Sequence, residues 1–414
     1  GRVTTVGPFE PAAAPRPIAP VAASQPTPRD IRADERAEAE KEDDAYRPLG
    51  LRTGGMTWRP AIELSAGRSS NVDGRRDGRA STMWQIAPEL VGTSDWSRHA
   101  LEVSLRGAHV GYPAAAEQSK PSVRAEAKGR VDLDDLTTVE LAALWSRERQ
   151  STSTAEDPTR STEAPDLDTA TASLGVTRDV GLLALTLRGG VERSDYRSRT
   201  TGGGSEIENN TRWIGTFRTT LGPQAPLRPF AEVQVSRRDY DQTLIYGQRR
   251  DSDGGRLAVG VVADMGPMLR GEIGLGWATE RPIGGDLPAM NDWTADGTLT
   301  WSPTRLDKVK LEAKTAFVPT TLVGSPGAVH RTLGVTWEHA LRADLVGSLG
   351  LAASTKRYAA TSTSERSVTV SSGLTYKFDR NLQTFVRGTW EFAGTTGSPD
   401  YQVGTVLVGV RVQR

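Results

Sequence analysis

The chain has 414 residues, with 51 basic and 51 acidic side chains, so its formal net charge is zero. A general nucleic-acid binder needs a basic excess, and we therefore expect no nucleic acid among the partners. The absence of cysteine and the presence of only four histidines exclude disulfides and thiol chemistry and argue against a histidine-rich metal site.

The beginning of the chain, residues 1–50, is predicted to be an irregular or helical tail. Residues 1–28 are rich in Pro and Ala, a composition that favours an extended, solvated tether. Residues 29–45 are good helix formers with charge on every side, which is typical of an exposed or weakly populated helix. A solvated spacer is favoured over a docking or plugging segment. The first residues also lack the charged-then-apolar start of a signal peptide.

From about residue 56 to the end, apolar and polar side chains alternate in segments of about ten residues. In MLRGEIGLGW, residues 268–277, the apolar Ile273 and Leu275 alternate with the polar or small residues between them. In LDKVKLEAKTAF, residues 306–317, lysines or glutamate take every second position. A helix would scatter these charges around its circumference, whereas a strand places them all on one face. The pattern predicts β-strands with one apolar and one polar face.

The connections between these segments alternate in length. The short ones are predicted at one rim and the long ones, rich in Gly, Ser, Thr and charge, at the other. The short connections include 132–135, 178–181, 265–267, 302–305 and 378–381, and the long ones include 149–166, 198–210 and 240–255.

Residues 51–414 are therefore predicted to form an all-β, antiparallel, up-and-down transmembrane barrel of about 18 strands. The apolar row of each strand would face lipid, and the polar row would face a watery lumen. A soluble β-sandwich would not place so many charged residues at inward positions, because burying a charge is unfavourable. A β-solenoid would show a more regular repeat in its sequence. No apolar run approaches the roughly 18 residues of a transmembrane helix.

Tryptophans on the apolar rows support this assignment. Membrane barrels collect Trp and Tyr at the two interfaces of the bilayer. Several of these tryptophans lie near predicted strand ends, as such a girdle requires. The tryptophans on the apolar rows are Trp58, Trp84, Trp145, Trp213, Trp293, Trp301, Trp337 and Trp390.

The candidate functional residues are charged side chains on the polar rows. Lys308, Lys310 and Lys314 form one basic ladder, and Arg124, Lys128 and Arg130 form another that is interleaved with acids. Each such residue either pairs across strands and stiffens the wall or acts on a passing solute, and the sequence leaves both open. The predicted lumen-lining residues are Arg124, Lys128, Arg130, Arg212, Arg218, Arg228, Glu232, Arg270, Glu272, Lys308, Lys310, Glu312, Lys314 and Arg387.

An enzyme is not expected. No recognisable motif surrounds any of the four histidines, and barrel hydrolases need a nucleophile and a base together. The segment TGGGS at 201–205 lacks the lysine and helix of a phosphate-binding loop. We expect no catalytic residue, no cofactor and no metal site.

The segment DDAYRPLGLRTGGMTWRPAIELSAGRSSNV, residues 43–72, resembles the putative β-barrel porin family 2 of proteobacterial outer membranes. Members of that family similarly carry an Asp-rich lead, a Y-x-P-L-G-[IL]-R-x-G step and a first strand with an aromatic residue, Pro and Glu. The resemblance implies an outer-membrane barrel near 18 strands, and it brings no catalytic or cofactor residues. Some relatives are associated with exopolysaccharide export. The chain departs from most barrels in ending VGVRVQR rather than in an aromatic residue.

The leading functional hypothesis is a porin-like channel for small hydrophilic solutes in the outer membrane of a Gram-negative bacterium. The alternatives are a conduit for exopolysaccharide export and a structural protein tethered to the cell wall by its tail. The expected partners are outer-membrane lipid, lipopolysaccharide and the barrel-assembly machinery. Residues 1–45, predicted to be periplasmic, are expected to contact peptidoglycan or periplasmic export proteins.

Overall fold

The computed structural model describes residues 46–149, 165–197, 208–243, 249–284, 287–320, 322 and 324–414. The predicted tail structure and its boundary at residue 50 concern residues that lie mostly outside these ranges. The described chain is almost entirely strands, with one short 3-10 helix at Ala116–Gln118. The strands are β1 Leu51–Thr53, β2 Met56–Ser69, β3 Ser81–Ser94, β4 Ala100–Gly111, β5 Lys120–Asp132, β6 Thr137–Arg149, β7 Asp166–Val180, β8 Leu183–Arg197, β9 Asn210–Leu221, β10 Leu227–Tyr240, β11 Ser252–Asp264, β12 Leu269–Pro282, β13 Met290–Trp301, β14 Asp307–Val318, β15 Ala328–Arg342, β16 Leu345–Tyr358, β17 Ser364–Lys377, β18 Leu382–Thr395 and β19 Ser398–Gln413.

These strands form a closed barrel. Each strand from β2 to β19 pairs antiparallel with its neighbours in sequence, and β19 closes the sheet by pairing with β2 from Thr405↔Ser69 to Gln413↔Ala61. The barrel therefore has 18 strands, β2 to β19, as the sequence predicts. The short β1 folds back on the start of β2, with Leu51 opposite Trp58.

The two rims of the barrel differ in the length of their connections. On the rim where β2 begins, the turns are short, as between Val180 and Leu183 or between Arg342 and Leu345. On the opposite rim most connections are longer, as between Ser69 and Ser81. We call these the turn side and the loop side. The predicted asymmetry is present, except that the last loop-side connections, around β17 to β19, are also short.

The outer face of the barrel is apolar and exposed. Large side chains such as Leu187, Val235 and Trp213 are more than half exposed, whereas the buried residues include more polar and charged side chains than apolar ones. This inverts the pattern of a water-soluble protein and is typical of a barrel that lipid surrounds. Seven of the eight predicted girdle tryptophans are exposed, Trp58 being partly buried. Within the described residues, no helix is long and apolar enough to cross a membrane.

Candidate functional site: the bore

The polar rows of the strands line the inside of the barrel. On β10, Glu232 and Gln234 alternate with the exposed Val233 and Val235, and they are less exposed than these valines. All the predicted lumen-lining residues lie on the rows opposite to the exposed apolar side chains. The structure therefore places them together on one surface, the wall of the bore, although their role in passage stays a prediction.

One cluster of paired charges spans strands β18, β19, β2, β3 and β4. The Glu63 carboxylate accepts hydrogen bonds from Arg387 at 2.9 Å and from Arg411 at 3.1 Å. Glu89 accepts from Arg411 at 2.9 Å and from Arg106 at 3.0 Å. The Glu63 and Glu89 side chains are only 4% and 3% exposed, so each carboxylate depends on its arginines for solvation. This cluster links five consecutive strands of the barrel wall.

A second cluster lies on the wall from β9 to β13. Arg256 bridges Glu232 at 2.9 Å and Asp296 at 2.8 Å, and Arg218 bonds Glu272 at 3.0 Å. At the turn side of the same wall, Asp264 lies 3.6 Å from both Arg228 and Arg270. Most predicted charges on this wall thus have a partner of opposite sign.

Two arginine guanidinium groups lie over the rings of buried phenylalanines. The Arg218 guanidinium is 3.6 Å from the Phe230 ring centroid, and that ring covers the bare backbone of Gly260 and Gly274. Across the barrel, Arg387 is 3.7 Å from the Phe385 ring, which covers Gly409. The ring can lie against the wall because glycine has no side chain. The stacked guanidinium is held close to the wall as well.

The second predicted ladder, on β5, pairs along its own strand. Lys128 bonds Glu126 at 2.7 Å, and Arg124 lies 3.5 Å from the same carboxylate. Arg130 bonds Asp132 at 2.9 Å. Each of these contacts joins residues two apart, which share one face of a strand.

The basic ladder on β14 is not uniform. Lys308 lies 3.7 Å from Glu338, and Lys310 bonds Glu312 at 2.6 Å. Lys314 differs, because its Nζ is buried and has no hydrogen-bond partner among the described residues. The sequence treats the three lysines alike, whereas the structure distinguishes them by their neighbours.

Lys314 lies where the barrel wall is interrupted. The β13–β14 pairing covers only Gly297↔Ala313 to Trp301↔Val309, so it stops one residue before Lys314. Beyond that point side chains join the strands: Thr315 Oγ1 accepts from the Ala295 N–H at 3.1 Å, and Asp296 accepts from the Thr315 N–H at 3.1 Å. We call this stretch the β13–β14 seam.

Charges from other strands of the barrel act on the Lys314 amine. They belong to Asp296 on β13, Glu192 on β8, Arg212 on β9 and Arg124 on β5. Strands β5 and β14 are nine strands apart in a barrel of 18, and are therefore diametrically opposite.

Described loop residues fold into the loop-side mouth. Val72 and Tyr112 pack with the inward side chains Met83, Val110 and Leu407 in one apolar cluster. Burial raises the pKa of the Tyr112 hydroxyl to about 12. In the same loop region, hydrogen bonds from Arg79 lower the pKa of Asp73 and so keep its carboxylate charged.

Two arginines bond the end of β14 and the described part of the β14–β15 connection at the same rim. Arg238 on β10 donates to the Phe317 carbonyl at 3.1 Å, and the buried Arg250 donates to the Thr320 carbonyl. Since β10 and β14 are four strands apart, the bond from Arg238 requires the loop-side end of β14 to lean into the barrel. Arg250 lies in the β10–β11 connection, so its bond joins two loop-side connections.

One Ser–His contact occurs on the bore wall. His330 Nε2 lies 2.8 Å from Ser354 Oγ, but no carboxylate of the described residues is hydrogen-bonded to the ring to complete a catalytic triad. Within the described residues no cluster of His, Cys, Asp or Glu has the geometry of a metal site.

The charged wall residues that sequence reasoning missed are also on the polar rows. The alternation of polar and apolar residues could have identified four of them, because each occupies a position on the polar row of its strand: Glu63, Glu89, Glu192 and Arg256. No sequence signal marks the role of Asp296 at the seam, because that role depends on where the pairing stops.

Comparison with known proteins gives a family. The family model described as "Putative beta-barrel porin 2" matches residues 44–414. A comparison with curated proteins finds no match.

Solved structures of outer-membrane proteins also match. The outer membrane protein opdK from Pseudomonas aeruginosa is 11% identical, with 86% of this chain and 99% of that chain covered and a TM-score of 0.43. OccK9 (OpdG) from the same organism is 12% identical, with 87% and 98% covered and a TM-score of 0.43. Its siderophore receptor PirA is 9% identical, with 89% and 81% covered and a TM-score of 0.40. Similarity of this size carries no inference about solutes.

Proposed function

The chain belongs to the family described as "Putative beta-barrel porin 2", and we propose that it is an outer-membrane channel for small hydrophilic solutes. The observation that carries this proposal is the charged inner wall of a closed 18-strand barrel. Some inward charges are well solvated, since the Glu312 and Arg124 side chains are 53% and 46% exposed. A barrel of this strand number is wide enough for an aqueous lumen unless something fills it.

The pairing of the wall charges supports a channel with little general preference for ion sign. Arg387, Arg218 and Arg256 each face at least one carboxylate within about hydrogen-bonding distance. Paired charges produce a weak net field at the bore axis. The loop residues that pack at the loop-side mouth favour small solutes over large ones.

Single-channel recording in a planar lipid bilayer tests the proposal. Both the full chain and a variant lacking residues 1–45 should give discrete conductance steps in potassium chloride. If folded, heat-modifiable barrels of both forms give no conductance, the channel function is wrong. Conductance only after removal of residues 1–45 would instead mean that the tail blocks the bore.

An exopolysaccharide conduit is less favoured. Such a conduit is expected to present a track of exposed aromatic rings to the sugar chain. Among the described inward aromatic residues, Phe230 and Phe385 lie beneath arginines, and Tyr240 lies beneath Arg250. Tyr196 and Tyr358 are buried. These rings offer no continuous surface to a polysaccharide.

The topology proposal places both ends of the chain in the periplasm. An even number of barrel strands returns the chain to the rim where it began, and in bacterial outer-membrane barrels the short turns are periplasmic. The proposed periplasmic partners of residues 1–45, including peptidoglycan, follow from this orientation. A protease added to intact cells should leave an N-terminal tag uncut, and cleavage of the tag would overturn the orientation. Co-isolation with the cell wall after detergent extraction would favour the tether.

A further inference from the structure

We propose that Arg331, Arg357 and Arg366, on the outer surface of the barrel, bind a phosphate group of a membrane lipid in the leaflet at the loop side. The site lies outside the bore, so the inference goes beyond the proposed channel function and does not depend on it. In the orientation proposed above this leaflet is the outer one, in which lipopolysaccharide is the expected phosphorylated lipid.

The three arginines lie at the loop-side ends of the lipid-facing rows of adjacent strands. On β15 the outward row runs from Trp337 through exposed apolar side chains to Arg331. On β16 the corresponding row ends at Arg357. On β17 Arg366 is next to the exposed Val368 on the same row, towards the loop side. Each arginine therefore lies where the apolar band of the barrel gives way to the rim.

Strand register brings the three side chains into one patch. Thr355 on β16 is paired with Arg331 on β15 and with Arg366 on β17. The two arginines therefore flank it at two strand spacings from each other, or about 10 Å. Arg357 lies two residues further along β16 on the same face. The exposed Thr355 hydroxyl, which can donate or accept a hydrogen bond, lies between the arginines.

One buried carboxylate holds two of the arginines. Asp292 on β13 forms ion pairs with Arg331 at 2.5 Å and with Arg357. The Asp292 side chain is 8% exposed and that of Arg357 is 61% exposed, so the acid is enclosed while the cation faces outward. Among the described residues, the only hydrogen bond of Arg357 is to Asp292 through one Nη atom. Two guanidinium groups thus share one carboxylate, which leaves an excess positive charge and N–H donors for an anion.

A tryptophan beneath Arg331 indicates the depth of the patch in the bilayer. The Arg331 guanidinium lies 4.5 Å from the centroid of the Trp293 ring and donates to the Trp293 carbonyl at 3.4 Å. Trp293 is one of the exposed girdle tryptophans, and such rings lie at the level of the lipid headgroups. The arginines are therefore at the depth of lipid phosphates.

The chemistry of the patch favours a phosphate over a neutral headgroup. Arginine presents a planar fork of N–H donors that matches two phosphate oxygens, and basic side chains near the membrane surface attract anionic lipids. Arg366 faces Asp400 at 3.3 Å, and both side chains are largely exposed. Such an exposed ion pair contributes little, so a phosphate can compete for this guanidinium.

A similar arrangement elsewhere on the outer surface lacks the excess charge. Asp168 on β7 pairs with Arg147 on β6 and Arg197 on β8, also at the loop side. Beside it, however, Arg193 pairs with two further aspartates. Three arginines face three carboxylates there, whereas Arg331 and Arg357 share one. The charge excess therefore selects the patch on β15–β17 for an anionic lipid.

Native mass spectrometry of the full-length protein tests the site, with diphosphoryl lipid A as the probe. The barrel should retain this lipid with a saturable dependence on concentration. Lipid A from which both phosphates have been removed should be retained about tenfold more weakly, the effect of losing a charge-assisted hydrogen bond. Arg357→Gln should weaken retention of the phosphorylated lipid about fivefold, the effect of one basic residue on binding to an anionic lipid.

Arg342→Gln is the matched control. Arg342 lies at the opposite, turn-side end of β15, where its side chain is 62% exposed and pairs with Asp344. The variant therefore removes the same charge from an equally exposed position at the other rim. It should change lipid retention less than about twofold, within the range of an exposed ion pair. Equal effects of the two variants, or unchanged retention in Arg357→Gln, would overturn the site.

Inorganic phosphate distinguishes a lipid from a free anion. At a concentration equal to that of lipid A it should not displace the lipid, because only the lipid also has acyl chains that contact the apolar band. Displacement at equal concentration would overturn the assignment to a lipid. Equal retention of the dephosphorylated lipid would overturn the assignment to a phosphate. None of these measurements requires ion conduction, so their outcome is independent of the channel.

Discussion

At the scale of single residues, the bore wall holds charges that water alone does not solvate. Arg387, Arg411 and Glu63 have side-chain exposures of 7%, 12% and 4%. A buried ion pair adds little net stability, but removing one partner is costly because the other charge remains buried. We therefore expect the loss of stability on removing one partner to be larger for a buried pair in the wall than for a pair exposed to the lumen.

Replacement of Glu63 by Gln is expected to destabilise the barrel by about 2 kcal/mol, the order of a hydrogen bond to a charged group. Arg387 and Arg411 would lose their shared carboxylate, although Arg411 keeps Glu89. Urea unfolding in lipid vesicles, followed by tryptophan fluorescence, measures the change.

Glu312→Gln is the control for this prediction. Its side chain is 53% exposed, so water replaces the lost pairing and the cost should stay below about 1 kcal/mol. Equal losses at Glu63 and Glu312 would show that burial does not govern the energetics of the bore wall.

At the scale of elements, the β13–β14 seam is the exceptional contact of the barrel. Five residue pairs join these strands, whereas the next pair, β14 and β15, is joined by 12. Toward the loop side, Asp292 on β13 forms ion pairs with Arg331 and Arg357 on β15 and β16. In a membrane each backbone polar group needs a partner. The side chains of Thr315 and Asp296 meet part of that need at this seam.

Engineered cysteine pairs should report the seam directly, since the natural chain has no cysteine. A Thr298→Cys, Glu312→Cys pair lies in register in the paired part and should form a disulfide readily, because facing residues have Cα atoms about 4.5–5.5 Å apart. A Thr294→Cys, Ala316→Cys pair would be in register only if pairing continued.

That second pair should cross-link much more slowly under the same oxidant, as measured by the electrophoretic shift of the unfolded chain. Equal rates would mean that the two strands close along their whole length. The comparison is internal, because both pairs join the same two strands.

At the scale of the whole molecule, strand pairing closes the barrel into a cylinder, and connections between strands reduce the opening at its loop-side rim. The β14–β15 connection is held inward by Arg238 and Arg250, whose donors reach the carbonyls of Phe317 and Thr320. Arg250 also lies 4.5 Å from the Tyr240 ring centroid. The loop-side mouth is therefore smaller than the strand number alone implies.

Arg250→Ala is expected to raise the mean conductance and the current noise of the channel. The substitution removes hydrogen bonding that holds the β14–β15 connection inward. Planar-bilayer recording measures the change, with Arg249→Ala as control, because the Arg249 side chain is 68% exposed. A conductance equal to the natural chain would show that this connection does not limit the current.

Much of the architecture could be predicted from the sequence because strand alternation is local. The phase of LDKVKLEAKTAF follows from consecutive residues, and the closed barrel has the predicted 18 strands. The short and long connections are equally visible in composition. Local pattern cannot show which charges meet, since the partners Glu63 and Arg387 are 324 residues apart.

The sequence by itself determined that the chain alternates with a period of two, carries apolar and charged faces, and contains enough strands for a membrane barrel. Only the tertiary structure decided where the β13–β14 pairing stops and that β5 faces β14 across the bore. Those facts distinguish Lys314 from Lys308 and Lys310, which the sequence presents as equals. The physical reason is that the free energy of a charged side chain depends on its neighbours. Barrel closure supplies those neighbours from strands that are far apart in the sequence.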